Sequence, residues 1–136
     1  MNITVIDGQG GHIGAQLVKE ITSRFAGHTV TAIGTNAVAA ATMLKAGAHR
    51  AASGENPVVV ACRHADVIIG PIGIVIADSL LGEITPKIAL AVGQASAVRI
   101  LIPMNKCDNL IAGVSSRSTA TVIADAIEKL RALISD

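Results

Sequence analysis

A glycine-rich run near the start of the chain constrains the fold more than any other feature. Residues 5–14 read Val-Ile-Asp-Gly-Gln-Gly-Gly-His-Ile-Gly, between a short apolar segment and an amphipathic helical pattern. Strand, glycine-rich turn and helix in this order are typical of a dinucleotide-binding β-α unit. Gly8 and Gly10 are expected to take backbone angles that a Cβ would forbid, and Gly14 to let the helix lie close to the strand. The N–H groups at the start of the helix would then attract a phosphate.

The spacing of these glycines leaves two interpretations open. A strict G-x-G-x-x-G run would need glycine where Ile13 stands. The sequence is nearer the T-G-x-x-x-G-I-G of short-chain dehydrogenases, with Asp7 in place of Thr and His12 in place of Gly. The loop either binds a nucleotide or phosphate, or is a tight turn without a ligand. The candidate cofactor-binding residues here are Asp7, Gly8, Gln9, Gly10, Gly11, His12 and Ile13.

Asp7 and His12 carry the ionisable side chains of this run. Asp7 ends the first strand and is expected to hold the loop by accepting backbone N–H bonds, although it is also placed to meet a ligand or a metal. His12 changes charge near neutral pH, so it is a candidate phosphate contact or proton donor. A solvent-facing histidine without a role is the alternative.

Composition narrows the fold class and the partners. Aliphatic residues dominate, and Phe25 is the one aromatic residue among 136. A core of Ala, Val, Ile and Leu suits parallel strands that are covered by helices on both faces. The length fits a single domain, residues 1–136, in which about 70% of the unfolded surface is buried. The net charge of +1, with scattered basic residues and no aromatic platform, argues against a nucleic-acid partner.

The two cysteines, Cys62 and Cys107, are neither a metal-spaced pair nor a disulfide framework. Cys62 lies near His64 and Asp66 in the sequence, but it falls on the buried side of a predicted helix, so we expect no metal site. Cys107 would be a nucleophile only if its pKa were lowered, and Lys106 is the one neighbour that would do so.

The start of the chain carries no sign of targeting. Met1-Asn2 leads directly into the first strand, without the basic and longer apolar segments of a signal peptide. No apolar run reaches the roughly 18 residues needed to span a bilayer. We therefore expect a cytoplasmic protein with no membrane partner.

Hydrophobic periodicity and turn residues predict alternating strands and helices. Strands are expected at Ile3–Ile6, Thr29–Ile33, His49–Ala52, Val67–Ile69, Val98–Ile102 and Leu110–Val114. Helices are expected at about Gly11–Phe25, Ala37–Lys45, from about Pro57 to His64, Pro86–Val92 and Thr119–Ile134. This alternation predicts an α/β, Rossmann-like three-layer fold with a mostly parallel sheet.

Gly34, Thr35 and Asn36 follow the second strand. NAD-binding folds carry an acidic residue about here that accepts the ribose hydroxyls, and this sequence has none. Thr35 and Asn36 are able to hydrogen-bond a ribose or a 2′-phosphate. Asn36 is also well placed to cap the helix that follows.

A second glycine-containing stretch comes directly after the buried fourth strand. In a doubly wound sheet it would open beside the first loop, at the carboxyl ends of adjacent strands, where ligands bind. The alternative is a strand-ending turn without a ligand. Glu83 lies in the next loop and would face the pocket or a subunit partner. The candidates added here are Gly70, Pro71, Ile72 and Gly73, with Asn105 from the polar loop after the fifth strand.

Five runs together resemble a family of short bacterial proteins. They are residues 5–14, Gly34-Thr35-Asn36-Ala37, Gly70-Pro71-Ile72-Gly73-Ile74, Gly82-Glu83-Ile84-Thr85-Pro86 and Ile102-Pro103-x-Asn105-x-Cys107. The resemblance covers residues 3 to about 114, and the family carries a domain-of-unknown-function label. It implies a Rossmann-like fold and brings no known activity or catalytic residue.

Three functional hypotheses follow. The first is a small nucleotide-binding protein, with NAD(P) as the leading ligand, that acts as an oxidoreductase or a nucleotide sensor. A homo-oligomer, with contacts through the Ala-rich second helix, would supply the substrate wall that so short a chain lacks. The second is a non-catalytic oligomeric binding or scaffold module. The third is an enzyme acting on a small molecule or phosphoester with Asp7, His12, Lys106 or Cys107. Because the chain has no Tyr, it lacks the proton donor of short-chain dehydrogenases.

Overall fold

The computed structural model describes residues 1–104, 109–114 and 118–135. Its strands are β1 (Asn2–Asp7), β2 (Thr29–Gly34), β3 (Arg50–Ser53), β4 (Val67–Pro71) and β5 (Val98–Ile102). Its α-helices are α1 (His12–Arg24), α2 (Ala37–Lys45), α3 (Glu55–His64), α4 (Pro86–Gly93) and α5 (Thr119–Ser135). A short 3-10 helix spans Ile72–Val75.

The five strands form one parallel sheet in the order β3-β2-β1-β4-β5. β1 is central, and its Ile3 lies opposite Val30 of β2 on one side and Val67 of β4 on the other. The chain moves outward from β1 to β3 and then returns to β4, so the strand order reverses between β1 and β4. The predicted α/β, Rossmann-like fold is confirmed.

Side chains alternate between the two faces of the sheet, and helices cover both faces. In β4, Val67 and Ile69 belong to the core formed with α1, α2 and α5. Ile68, between them, belongs to the core formed with α3 and α4. All residues of β4 are buried, which explains why this strand is a continuous apolar run.

Side-chain caps fix the starts of α2 and α4. Asn36 Oδ1 accepts a 2.8 Å hydrogen bond from the Ala39 N–H. Thr85 Oγ1 accepts one of 3.1 Å from the Ile88 N–H, and Pro86 is the first helical residue. Each bond satisfies an N–H group that has no partner inside its helix. The capping role considered for Asn36 is confirmed.

The predicted last strand, Leu110–Val114, is wrong. This segment is a turn in which Gly113 has φ 81°, and Leu110 is 93% exposed. A further strand would have to pair with an edge strand, β3 or β5, and no described residue does so. A short apolar run therefore did not suffice, because a strand needs a partner for its backbone groups.

β4 also extends further than its apolar run indicates. Gly70 and Pro71, which the sequence placed in a loop, lie opposite Leu101 and Ile102 of β5. The stretch that follows β4 therefore begins at Ile72. Among the helices of the described ranges, none is long and apolar enough to cross a membrane.

Candidate ligand site at the glycine-rich loop

The glycine-rich loop after β1 and the stretch after β4 open onto one cavity of about 180 Å³, called here the β1–β4 cavity. It lies at the carboxyl ends of two adjacent strands, where the strand order reverses. This is the position at which open α/β sheets bind ligands. The cavity is lined by Asp7, Gly8, Gln9, Gly10, Gly11, His12, Ile13, Pro71, Ile72, Gly73, Ile76, Ser79, Leu80, Met104 and Asn109.

Asp7 holds the loop in place. Its Oδ1 accepts a 2.8 Å hydrogen bond from the Gly8 N–H, and its Oδ2 accepts one of 2.8 Å from the Gly14 N–H. Burial raises the pKa of Asp7 above its ordinary value, although these two bonds and the nearby His12 act in the opposite direction. The expected loop-holding role is confirmed, and both carboxylate oxygens serve it.

The left-handed residues of the loop are Gln9, with φ 50°, and Gly11, with φ 75°. The expectation that Gly8 and Gly10 take such angles is wrong. A 2.9 Å hydrogen bond from the Gly11 N–H to the Gly8 carbonyl closes the turn, and Gln9 is its first inner residue. Glycine at position 11 also avoids a clash, since a Cβ there would lie 2.8 Å from the Ala39 Cα.

Gly14 and Gly10 differ in what surrounds them. A Cβ on Gly14 would overlap Met43 Sδ and lie 2.9 Å from Asp7 Cβ, so the predicted close approach of α1 to β1 is confirmed. The three atoms nearest to a Cβ on Gly10 all belong to the ring of His12, the closest being Nε2 at 2.8 Å. His12 is exposed, so its ring is able to move. Packing within the described chain therefore does not require glycine at position 10.

In the glycine-rich loop and the first turn of α1, three backbone N–H groups beside the cavity donate no hydrogen bond within the described part of the chain. They belong to Gly10, His12 and Ile13. The remaining N–H groups of residues 8–14 all have acceptors. Gly8 and Gly14 donate to the Asp7 carboxylate, Gln9 to Glu83, and Gly11 to the Gly8 carbonyl. His12 and Ile13 are the first two residues of α1, where the helix dipole adds partial positive charge.

Glu83 closes the β2 side of the loop. Its Oε1 accepts hydrogen bonds from the Gln9 N–H at 2.9 Å, the Thr35 hydroxyl at 2.7 Å and the Asn36 amide at 2.7 Å. Burial alone would raise the pKa of Glu83, but these three bonds outweigh it and lower the pKa below its ordinary value. We call Gln9, Thr35, Asn36 and Glu83 the Glu83 cluster.

The structure brings most of the predicted site residues together. Residues 7–13 and 71–73 all line the β1–β4 cavity. Gly34, Thr35 and Asn36 lie at the end of β2, outside the cavity lining. Gly70 lies inside β4, where a Cβ would overlap the carbonyl oxygen of Ile6. Asn105, Lys106 and Cys107 lie outside the described residues.

The sequence missed five residues of the lining: Ile76, Ser79, Leu80, Met104 and Asn109. Ser79 Oγ donates a 2.5 Å hydrogen bond to the Gly73 carbonyl and so fixes the stretch after β4. The one signal for these residues was their position in the loops that follow β4 and β5. Nothing in the sequence placed Glu83 against Gln9, which precedes it by 74 positions.

Metal and thiol chemistry have little support in the residues that the structure describes. No group of three or more His, Cys, Asp or Glu side chains there is arranged to hold a metal ion. Cys62 is buried in α3, and burial raises its pKa to about 11. A thiol with so high a pKa is a poor nucleophile at neutral pH.

A sequence profile of the family described as "Domain of unknown function (DUF3842)" matches residues 2–135. The chain belongs to this family. The resemblance to an uncharacterised family is thereby confirmed. No curated protein matches the DUF3842 chain by sequence.

Two solved structures align with the DUF3842 chain. A dodecameric FMN-dependent UbiX-like decarboxylase from Escherichia coli O157:H7 aligns with 96% of this chain and 75% of its own, at TM-score 0.50 and 15% identity. A nucleoside-diphosphate-sugar epimerase from Pseudomonas aeruginosa aligns with 96% of this chain and 46% of its own, at TM-score 0.45 and 17% identity. This chain therefore spans about half the length of the epimerase. At 15% identity the likeness to the decarboxylase concerns the fold alone.

Proposed function

We propose that this DUF3842 protein binds a nucleotide-type ligand and holds its phosphate at the start of α1. The observation that carries the proposal is the set of N–H groups of Gly10, His12 and Ile13, which lie beside the β1–β4 cavity without an acceptor in the described chain. Backbone N–H groups at such a position favour an acceptor. A phosphate offers several oxygens to the N–H groups of a helix start.

The charges around the cavity are compatible with one phosphate. The exposed His12 lies over Gly10, and its imidazolium form would add a charge-assisted hydrogen bond. Asp7 is the opposing charge. Both of its oxygens already accept N–H bonds, from Gly8 and Gly14. An anion would therefore be bound more favourably at the N–H groups of the helix start than beside the Asp7 carboxylate.

Two ligand classes are proposed for this site. NAD(P) is the class that the glycine-rich run favours. The name of the decarboxylase with the same fold, which is FMN-dependent, adds a flavin mononucleotide. Either would supply hydride or electron transfer when bound, as in an oxidoreductase or a redox sensor. The proposal concerns binding and assigns no catalytic residue.

A homo-oligomer is the second part of the proposal. Helix α2 turns Ala39, Ala40 and Met43 inward but leaves Val38 65% and Leu44 50% exposed. A second subunit on this side would bury both side chains and extend the wall of the site. Sedimentation of the wild type and of Val38→Glu tests this. We expect a wild-type oligomer that Val38→Glu weakens, and a monomeric wild type would contradict it.

A scaffold module without a nucleotide is the alternative, and packing favours it at three positions. Gly8, Gly11 and Gly14 each avoid a clash with a residue of the chain itself. In this alternative the free N–H groups of residues 10, 12 and 13 are hydrated, and only Gly10 lacks an explanation.

The substitution Gly10→Asp separates the two functions. A carboxylate at position 10 would repel a phosphate at short range, whereas the three atoms nearest to its Cβ belong to the movable His12 ring. The matched control is Gly93→Asp, since a Cβ on that exposed glycine has nothing within 4 Å. We expect NAD⁺, NADP⁺, FMN or AMP to raise the melting temperature of the wild type and of Gly93→Asp, and not that of Gly10→Asp.

The outcomes of this experiment are distinct. A Gly10→Asp protein that keeps its circular dichroism spectrum and loses the ligand-induced shift supports the phosphate site. A shift of wild-type size in Gly10→Asp contradicts the site. If none of the four nucleotides shifts the wild type, the scaffold function is favoured.

A further inference from the structure

The β2 side of the glycine-rich loop is filled by side chains of the protein itself. A Cβ built on Gly8 would lie 2.6 Å from Thr35 Oγ1, 2.9 Å from Leu80 Cδ1 and 3.1 Å from Glu83 Oε1. These distances leave no room for a ligand group directly beside Gly8 on that side. The cavity lining accordingly includes Gly8 and Leu80 but neither Thr35 nor Glu83.

The hydrogen-bond donors on this side are also engaged. In a dinucleotide complex of a Rossmann fold, the ribose of the second nucleoside lies at the end of β2, where an acidic residue accepts its hydroxyls. Here the donors at that position are the Thr35 hydroxyl, the Asn36 amide and the Gln9 N–H. All three donate to Glu83 Oε1 at 2.7–2.9 Å. A second nucleoside would have to displace this carboxylate and Leu80 together.

We infer that the site takes a ligand with a single nucleoside or flavin and its phosphate, and that Glu83 closes it against the second half of a dinucleotide. This inference rests on the proposed function. The phosphate would lie at the N–H groups of Gly10, His12 and Ile13, and the rest of the ligand would extend along the stretch after β4. Glu83 is then the residue that sets the ligand class.

The volume of the cavity, about 180 Å³, is below the range of about 300–1,000 Å³ that is usual for pockets that enclose a whole drug-sized ligand. The cavity would therefore enclose only part of a mononucleotide or of a dinucleotide. The wall of Thr35, Leu80 and Glu83 beside Gly8 is what distinguishes the two.

The local charges act in the same direction. The lowered pKa of Glu83 keeps its carboxylate ionised at neutral pH. A pyrophosphate that crossed the loop toward β2 would bring a second negative group toward this carboxylate, which repels it. A single phosphate at the start of α1 stays on the other side of the loop.

Isothermal titration of the full-length protein with NAD⁺ and its two halves tests the inference. Nicotinamide mononucleotide and AMP are the two halves of NAD⁺, which forms from them with loss of one water. FMN is added as a third single-phosphate compound. We expect at least one of the three to bind, and NAD⁺ to bind at least about tenfold more weakly than that compound, a difference of about 1.4 kcal/mol.

The two proposals fail in different ways. If NAD⁺ binds as tightly as the best mononucleotide, the inference is overturned and the proposed function stands. If no mononucleotide and no dinucleotide binds, the proposed function fails and the inference with it. Both results come from the wild type, so neither depends on a variant that folds.

Two variants at position 83 identify the residue responsible. Glu83→Ala removes the carboxylate and frees the three donors, so we expect the ratio of NAD⁺ affinity to mononucleotide affinity to rise by about tenfold. Glu83→Gln keeps the bulk and one acceptor oxygen and loses only the charge, so its ratio should rise less than that of Glu83→Ala. An unchanged ratio in a folded Glu83→Ala would overturn the role of Glu83.

Discussion

The Asp7 carboxylate accepts a 2.8 Å hydrogen bond from the backbone N–H of Gly14, which ties the end of β1 to the first turn of α1. The same carboxylate accepts from the Gly8 N–H. Two turns of backbone are therefore set by one buried side chain, which is 6% exposed. This relationship places the free N–H groups of the loop beside the β1–β4 cavity.

The substitution Asp7→Ala should destabilise the protein. It leaves the N–H groups of Gly8 and Gly14 without their acceptor, at a cost of about 1–3 kcal/mol in the free energy of unfolding. Urea denaturation measures this cost. Glu20→Ala is the control, because it removes only an exposed pair with Arg24, worth about 0–1 kcal/mol. Equal stabilities of the two variants would contradict the loop-holding role.

The substitution Gly14→Ala should also destabilise the protein, through crowding. The added methyl group would overlap Met43 Sδ, and repacking at such a site costs about 1–3 kcal/mol. Gly93→Ala is the matched control in another helix, where the methyl has nothing within 4 Å. We expect it to be neutral or to stabilise by up to about 1 kcal/mol. Thermal unfolding of both variants checks the contrast, and a stable Gly14→Ala would refute it.

The contribution of Glu83 to stability should depend on pH. Its pKa in the folded protein is below the ordinary value of 4.5, so the folded state binds fewer protons near that pH than the unfolded state does. The stabilisation is therefore present above pH 4.5 and is lost as the pH falls through the folded pKa. The raised pKa of Asp7 acts with the opposite sign, because its ionised form costs stability as the pH rises.

A comparison of the wild type with Glu83→Gln measures this contribution, together with the small part of the raised pKa of Asp7 that the Glu83 charge causes. We expect the difference in the free energy of unfolding to be constant near neutral pH and to shrink in acid. Denaturation in urea across a series of buffers measures it. A difference that is independent of pH would show that the Glu83 carboxylate is not held as described.

The thiol of Cys62 should resist alkylation in the folded protein. Burial raises its pKa to about 11, so the thiolate is scarce at neutral pH, and the side chain is 4% exposed. Peptide mass spectrometry after iodoacetamide treatment should find Cys62 unmodified without denaturant and modified in urea. Rapid modification of the native protein would contradict its placement in the core.

The sequence predicted a helix or strand correctly where an apolar run and the turn residues at its ends indicated the same bounds. α2 (Ala37–Lys45) and β5 (Val98–Ile102) have the predicted bounds, since each is an apolar run bounded by clear turn residues. Leu110–Val114 is also an apolar run, yet it is a turn. Whether such a run becomes a strand depends on its pairing with an edge strand of the sheet. The local sequence of this segment carries no signal for that pairing.

The candidate site was predictable on one side only. Residues 7–13 and 71–73 were found because both stretches follow adjacent strands of a parallel sheet. The Glu83 cluster was not, because its carboxylate comes from a loop 74 positions after Gln9, whereas NAD-binding folds carry their acidic residue directly after β2. Contacts over such a separation depend on the packing of the whole chain.

A ¹H–¹⁵N nuclear magnetic resonance titration of the wild type with nicotinamide mononucleotide, AMP and FMN, each added separately, tests the phosphate site most directly. With at least one of the three we expect the amide signals of Gly10, His12 and Ile13 to shift strongly and saturate together, while that of the distant Gly93 stays in place. The phosphate site is contradicted if these three signals do not move with any of the ligands, or if a ligand that binds shifts other amides and leaves these three unchanged.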